Sequence, residues 1–216
     1  MTARKALFAV TFAAAALAGC ARSGEIVVEE GIGVTVLRSV CPAVGVPEYT
    51  GDVTLFNPAG AKTADAIDIA AAITNVRSTC NDTGQQVYTA ATFDVVAQRR
   101  NTQGARTVQL PYFSTVVRGG TSVVAKRLGT VTLTFADGQA RAQGSGTAGA
   151  YVDRAAATLP DDIRERITRR RRAGDDDAAV DPLTQPEVRT AISQATFELL
   201  IGFQLNDDQL GYNATR

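Results

Sequence analysis

Ile67, Ile69, Ala71 and Ile73 occupy alternate positions in the stretch that opens at Ala66. A period of two places all four side chains on one face of an extended chain, the pattern of a strand with one buried face. The alternation returns at Phe93, Val95 and Ala97, and again at Val131, Leu133 and Phe135. Polar turn sequences separate these stretches: NDTGQQ after Cys80, NTQGAR after Arg100, and the pair Gly119 and Gly120. A further turn, ADGQ at 136–139, contains the Asp-Gly pair that predicts a tight hairpin. Pro111, which cannot donate to a ladder, predicts that its strand is an edge or carries a bulge.

Shorter strands are expected in EIVVEEGIGVTVLRS (25–39), VTLFNPAG (53–60) and FELLIGFQL (197–205). In the last of these, Gly202 weighs against a helix, and Phe197, Leu199, Ile201, Phe203 and Leu205 alternate. Strands spaced by turns in this way predict a mainly β chain folded as an antiparallel β-sandwich, immunoglobulin-like or related. The pattern changes at Thr158. DDIRERITRRRR (161–172) sets Ile163 and Ile167 one turn apart, with acids first and arginines last, as a helix dipole prefers. It predicts one helical insertion near 160–173. A short helix at 187–193 and a capped terminal turn at Asn206 and Gln209 complete the reading.

The N-terminus carries the most specific motif. Arg4 and Lys5 precede an uncharged, nearly continuous apolar run from Ala6 to Gly19. A bilayer-spanning helix needs about 20 apolar residues, so this run has the length of a signal-peptide core. Leu17-Ala18-Gly19-Cys20 resembles the lipobox of bacterial prolipoproteins. The resemblance implies diacylglyceryl transfer to the Cys20 sulfur, cleavage before Cys20 and acylation of the new amino terminus. Two or three acyl chains anchor a protein stably, where one gives marginal binding. An Asp directly after such a cysteine is a retention signal for the inner membrane, and here Ala21 and Arg22 follow. The resemblance therefore implies the outer membrane, on its periplasmic face. The expected organisation is a signal peptide at 1–19, a lipidated tether at 20–25 and a single periplasmic domain at 26–216.

With Cys20 assigned to lipid, Cys41 and Cys80 remain in an oxidising compartment, where an even pair forms a disulfide. Closing the loop between positions 41 and 80 contributes about 4 kcal/mol in the chain-entropy treatment. The rival, a redox pair of free thiols, lacks Cys-x-x-Cys spacing.

Removing residues 1–19 leaves 197 of the 216 residues, enough for one substantial core. Lys+Arg and Asp+Glu are equal at 22 each in the full chain, so losing Arg4 and Lys5 leaves two more acids than bases. That balance offers no general attraction to nucleic acid. The chain contains no His, which excludes Ser-His-Asp and Cys-His catalysis within it and any His-ligated metal. No cofactor or metal site is expected. GSGTAG (144–149) matches Gly-x-Gly-x-x-Gly, but it lacks the strand and helix context of a dinucleotide site. It reads as a strand of small residues against which something packs closely. The sequon NAT (213–215) reads as a chance match in a bacterial lipoprotein.

Arg164, Arg166, Arg169, Arg170, Arg171 and Arg172 form the concentrated basic segment. They are the candidate contact to anionic head groups or to an acidic envelope partner. The rival is a solvated face neutralised by Asp175, Asp176 and Asp177. The expected function is a non-catalytic binding or support role in the envelope. Two alternatives stand beside it: a carboxylate-dependent envelope hydrolase, which needs two converging acids, and a carrier of a lipid or small ligand, which needs a large apolar cavity.

Overall fold

A computed structural model describes residues 39–171, 174–175 and 179–216. The lipobox with Cys20, all but Ser39 of the expected strand segment 25–39, Arg172, Asp176 and Asp177 lie outside the described residues. Residues 39–169 and 179–216 belong to one compact unit.

Among the described residues, eight strands form two four-stranded sheets that pack face to face. The strands are β1 (Ala43–Gly45), β2 (Asp52–Phe56), β3 (Ile67–Asn81), β4 (Gln86–Arg99), β5 (Arg106–Arg118), β6 (Ser122–Phe135), β7 (Arg141–Asp153) and β8 (Phe197–Phe203). The first sheet has the order β1-β8-β5-β6 and the second β2-β3-β4-β7. The expected mainly β architecture of two packed antiparallel sheets is present. The short β1 departs from the antiparallel rule by running parallel to β8.

The period-two residues build the core between the sheets. Ile69 and Ala71 of β3, Phe93, Val95 and Ala97 of β4, and Val131, Leu133 and Phe135 of β6 are all buried in one cluster. Leu199, Ile201 and Phe203 of β8 join them. Around the domain lie α1 (Arg154–Ala157), α2 (Asp161–Thr168), α3 (Pro186–Gln194) and α4 (Asp207–Thr215). Ile163 and Ile167 of α2 pack with Val188 of α3 and with Leu159 and Ala195 in a smaller cluster. Asn206 caps α4 in a reciprocal capping box with Gln209, as the sequence predicts.

Three local expectations change. The helix near 160–173 ends at Thr168, and Arg169 is already extended (φ −59°, ψ 125°). A run of four arginines places like charges one turn apart, and that repulsion disfavours continuing the helix. The Asp-Gly turn does not close a hairpin. Gly138, at φ +76°, instead carries the chain in an arch from β6 of one sheet to β7 of the other. Pro111 lies on an interior strand, between β8 and β6 in its sheet. Its carbonyl still accepts from Gln204 N at 2.9 Å, just past the last β8 pair of Tyr112 with Phe203, and only the donor that proline lacks is missing from the ladder.

The two arches that cross between the sheets, 100–105 and 136–140, are tied by Gly138 N to Thr102 O at 2.9 Å, by Gly104 N to Asp137 Oδ1 at 2.6 Å, and by one buried side chain. Arg99, 2% exposed, donates from Nε to Gln139 O, from Nη1 to Gly104 O, and from Nη2 to Thr102 O and Ala136 O, each at 2.8 Å. The fork geometry of guanidinium suits several carbonyls that converge from different directions. At the opposite end of β3, Cys80 approaches Cys41 with Cα atoms 6.1 Å apart, within the span of a disulfide.

Candidate functional site

The candidate site lies along the side of the sandwich where β6, an edge of one sheet, runs beside β7, an edge of the other. Near the Gly138 arch the two edges meet tightly. A Cβ on Gly144 of β7 would sit 2.8 Å from Thr132 O and 2.8 Å from Val131 Cγ1 on β6. Further along β7, a Cβ on Gly146 would sit 2.8 Å from Phe93 Cε1, and one on Gly149 would sit 2.9 Å from Tyr88 Oη. Real Cβ atoms do not approach so closely. The small residues of GSGTAG therefore permit close packing of strands and rings, and no phosphate-binding turn is formed.

Toward the other end a cleft of about 450 Å³ opens, lined by Tyr88, Tyr112, Tyr151, Ser114, Arg127 and Leu128 among others. Tyr112 spans it from β5 and donates its hydroxyl proton to Thr147 O on β7, at 2.7 Å. Its ring meets Phe93 edge-on, with centroids 5.0 Å apart. Tyr88 and Tyr151 face each other across the β4–β7 ladder and stack at 4.4 Å. Tyrosine presents an apolar ring and a polar tip together, which suits a partly wet recognition surface.

Arg127, Leu128 and Gly129 of β6 line one side of this cleft, and the first half of the strand leads up to it. Every residue from Ser122 to Leu128 is exposed, with Val123 at 63%, Val124 at 58% and Leu128 at 67%. On β5, Val116 and Val117 pair with Ala125 and Val123, so Val124 is the extra residue of a bulge. Beyond the bulge, Lys126 and Leu128 oppose Thr115 and Phe113, whereas Arg127 opposes Ser114 and shares the cleft lining. Lys126 Nζ lies 5.3 Å from the centre of the Phe113 ring. Ser122–Phe135 contains two bases and no acid. The sequence reading missed this strand half as a site. Its alternation breaks at Val123-Val124, but a broken period alone does not distinguish an exposed edge from a buried run.

The arginine segment is divided by the structure. Arg164 pairs with Asp161 at 2.7 Å, and Arg166 with Glu187 at 3.0 Å and with Gln185 Oε1 at 3.3 Å. Arg169 caps the C-terminus of α2, so it and Arg170 lie past the helix instead of sharing a helical face with Arg166. Arg171 is 5% exposed. The acids are similarly dispersed. Asp161 and Asp162 open α2, Asp207 and Asp208 open α4, and Asp208 pairs with Lys62 at 3.1 Å. Among the described residues the buried polar and charged side chains are threonines, Ser114, Arg99, Arg171 and Asn213, with no carboxylate. Asn213 of the sequon is 6% exposed and donates to Tyr49 O and Asp52 O at 2.8 Å each, so it anchors α4 to the segment that leads into β2.

No family model matches the chain, and neither the curated proteins nor the solved structures searched contain a match.

Proposed function

We propose that this chain is a lipoprotein anchored through Cys20 to the periplasmic face of the outer membrane, and that its β-sandwich binds another envelope component without catalysing a reaction. The anchor rests on the charged start, the short apolar core and the Leu17-Ala18-Gly19-Cys20 run. The binding role rests on one observation, the exposed apolar half of β6 beside a tyrosine-lined cleft. Soluble domains bury such residues or use them for recognition. A hydrolase built on carboxylates needs two acids converging in a sheltered pocket, whereas no carboxylate among the described residues is buried.

The anchor is tested by membrane fractionation. The natural chain should sediment with outer membranes and enter detergent on extraction. Cys20→Ser should release the domain to the soluble fraction with its fold unchanged. A Cys20→Ser chain still held in the membrane would contradict the proposal.

A further inference from the structure

We propose that the edge of β6 from Ser122 to Gly129 receives an extended, acidic segment of a partner protein as an added antiparallel strand. This deepens the binding role proposed above, rests on it, and names the partner's chemistry.

Three observations converge. The first is topological: among the described residues β6 ends its sheet, and no described strand lies along its outer side. Such an edge is a template for strand addition, in which backbone hydrogen bonds supply affinity and alternate side chains supply specificity. The second is the cleft. An added strand would lie over its mouth and direct alternate side chains toward Arg127, Ser114 and the tyrosines. Thr147, Ala148 and Gly149 of β7 line the opposite side of the cleft.

The third observation is charge, and it selects the occupant. Lys126 and Arg127 are adjacent and exposed on this edge, and no acid lies anywhere on β6. A second copy pairing edge to edge would bring two more positive charges against them, and like charges across a strand pair are destabilising. Lysine on an edge, together with the bulge at Val124, opposes self-association. A segment alternating apolar residues with Glu or Asp meets both features. Its apolar side chains cover Val123, Leu128 and the stem of Lys126 on one face, and its carboxylates meet Arg127 on the cleft face.

The test uses the mature full chain and two labelled eight-residue peptides. One alternates valine with glutamate, and the other replaces each glutamate by lysine. The acidic peptide should bind with affinity that falls as salt rises, and at least about ten-fold more tightly than the basic one, as one 1.4 kcal/mol step implies. Hydrogen exchange should show the Ser122–Gly129 amides open in the free protein and protected by the acidic peptide. The double change K126E/R127E should reverse the peptide preference. Both side chains are exposed, so its melting temperature should stay within a few degrees of the natural protein. Equal binding of the two peptides, or binding of neither, would overturn the proposal. So would amides already protected in the free protein. Protection that rises with protein concentration would assign the edge to a second copy, and protection independent of it to the chain's own residues. None of these outcomes touches the anchor, which the Cys20→Ser fractionation reads separately.

Discussion

Arg99 lies over the ring of Phe135, its Cζ 5.2 Å from the ring centre, while its guanidinium donates to carbonyls of both arches that cross between the sheets. One side chain at the end of β4 thus replaces the hairpin turns that would otherwise tie these strands together.

Arg99→Ala should therefore be among the most damaging single changes. Thr102 O and Ala136 O keep the backbone donors Gly138 N and Gln139 N, whereas Gln139 O and Gly104 O lose theirs, and an unsatisfied buried group costs about 1–3 kcal/mol each. Water entering the space would offset part of this, so a loss of about 3–5 kcal/mol is expected. Urea unfolding measures it. A loss below about 1 kcal/mol would show that the arches hold without the guanidinium.

Adding one methyl group at Gly146 should be costly for a different reason. The new Cβ would meet the Phe93 ring, whose edge-on contact with Tyr112 leaves it little room to move. Overpacking of this kind costs about 1–3 kcal/mol. Gly146→Ala should lower the thermal midpoint, and Phe93→Leu in the same chain should recover part of the loss. Additive effects of the two changes would contradict the contact.

Cys41 and Cys80 should be joined in the exported protein. Peptide mapping without reductant should recover one cross-linked pair. Cys80→Ser should lower stability by up to about 4 kcal/mol, because the unfolded chain regains the freedom of the loop. Two alkylatable thiols in natively exported protein would refute the bond.

Much of this architecture is visible in local pattern. The alternation at Ile69 and Ala71, at Phe93, Val95 and Ala97, and at Val131, Leu133 and Phe135 marks the buried faces, because a period of two survives whatever the partners are. The capping box at Asn206 is equally local. What escapes the sequence depends on partners distant along the chain. Asp137-Gly138 has the composition of a hairpin turn and becomes an arch because Arg99, nearly 40 residues earlier, binds Ala136 and Gln139. Arg164 and Arg166 look like a free basic face until Asp161 and Glu187 are placed beside them. The exposed edge at Val123, Val124 and Leu128 is hidden for the same reason: apolar composition does not state which residues find cover.

Asn213 offers a test of how α4 is held. Its side-chain amide bridges Tyr49 O and Asp52 O, and Tyr212 beside it meets Phe56 edge-on at 5.0 Å. Asn213→Ala should cost about 2 kcal/mol, one modest hydrogen bond for each carbonyl lost. Amide exchange in α4 should accelerate more than in β3 and β4. Uniform acceleration throughout would mean that α4 does not open independently.

The central claim, a lipid-anchored binding domain, is tested most directly by the intact mass of the protein extracted from its native membrane. The account predicts a chain that begins at Cys20 and carries the added mass of a diacylglyceryl group and an amide-linked acyl chain. A chain that retains residues 1–19, or one that begins near residue 20 with no added lipid mass, would contradict it.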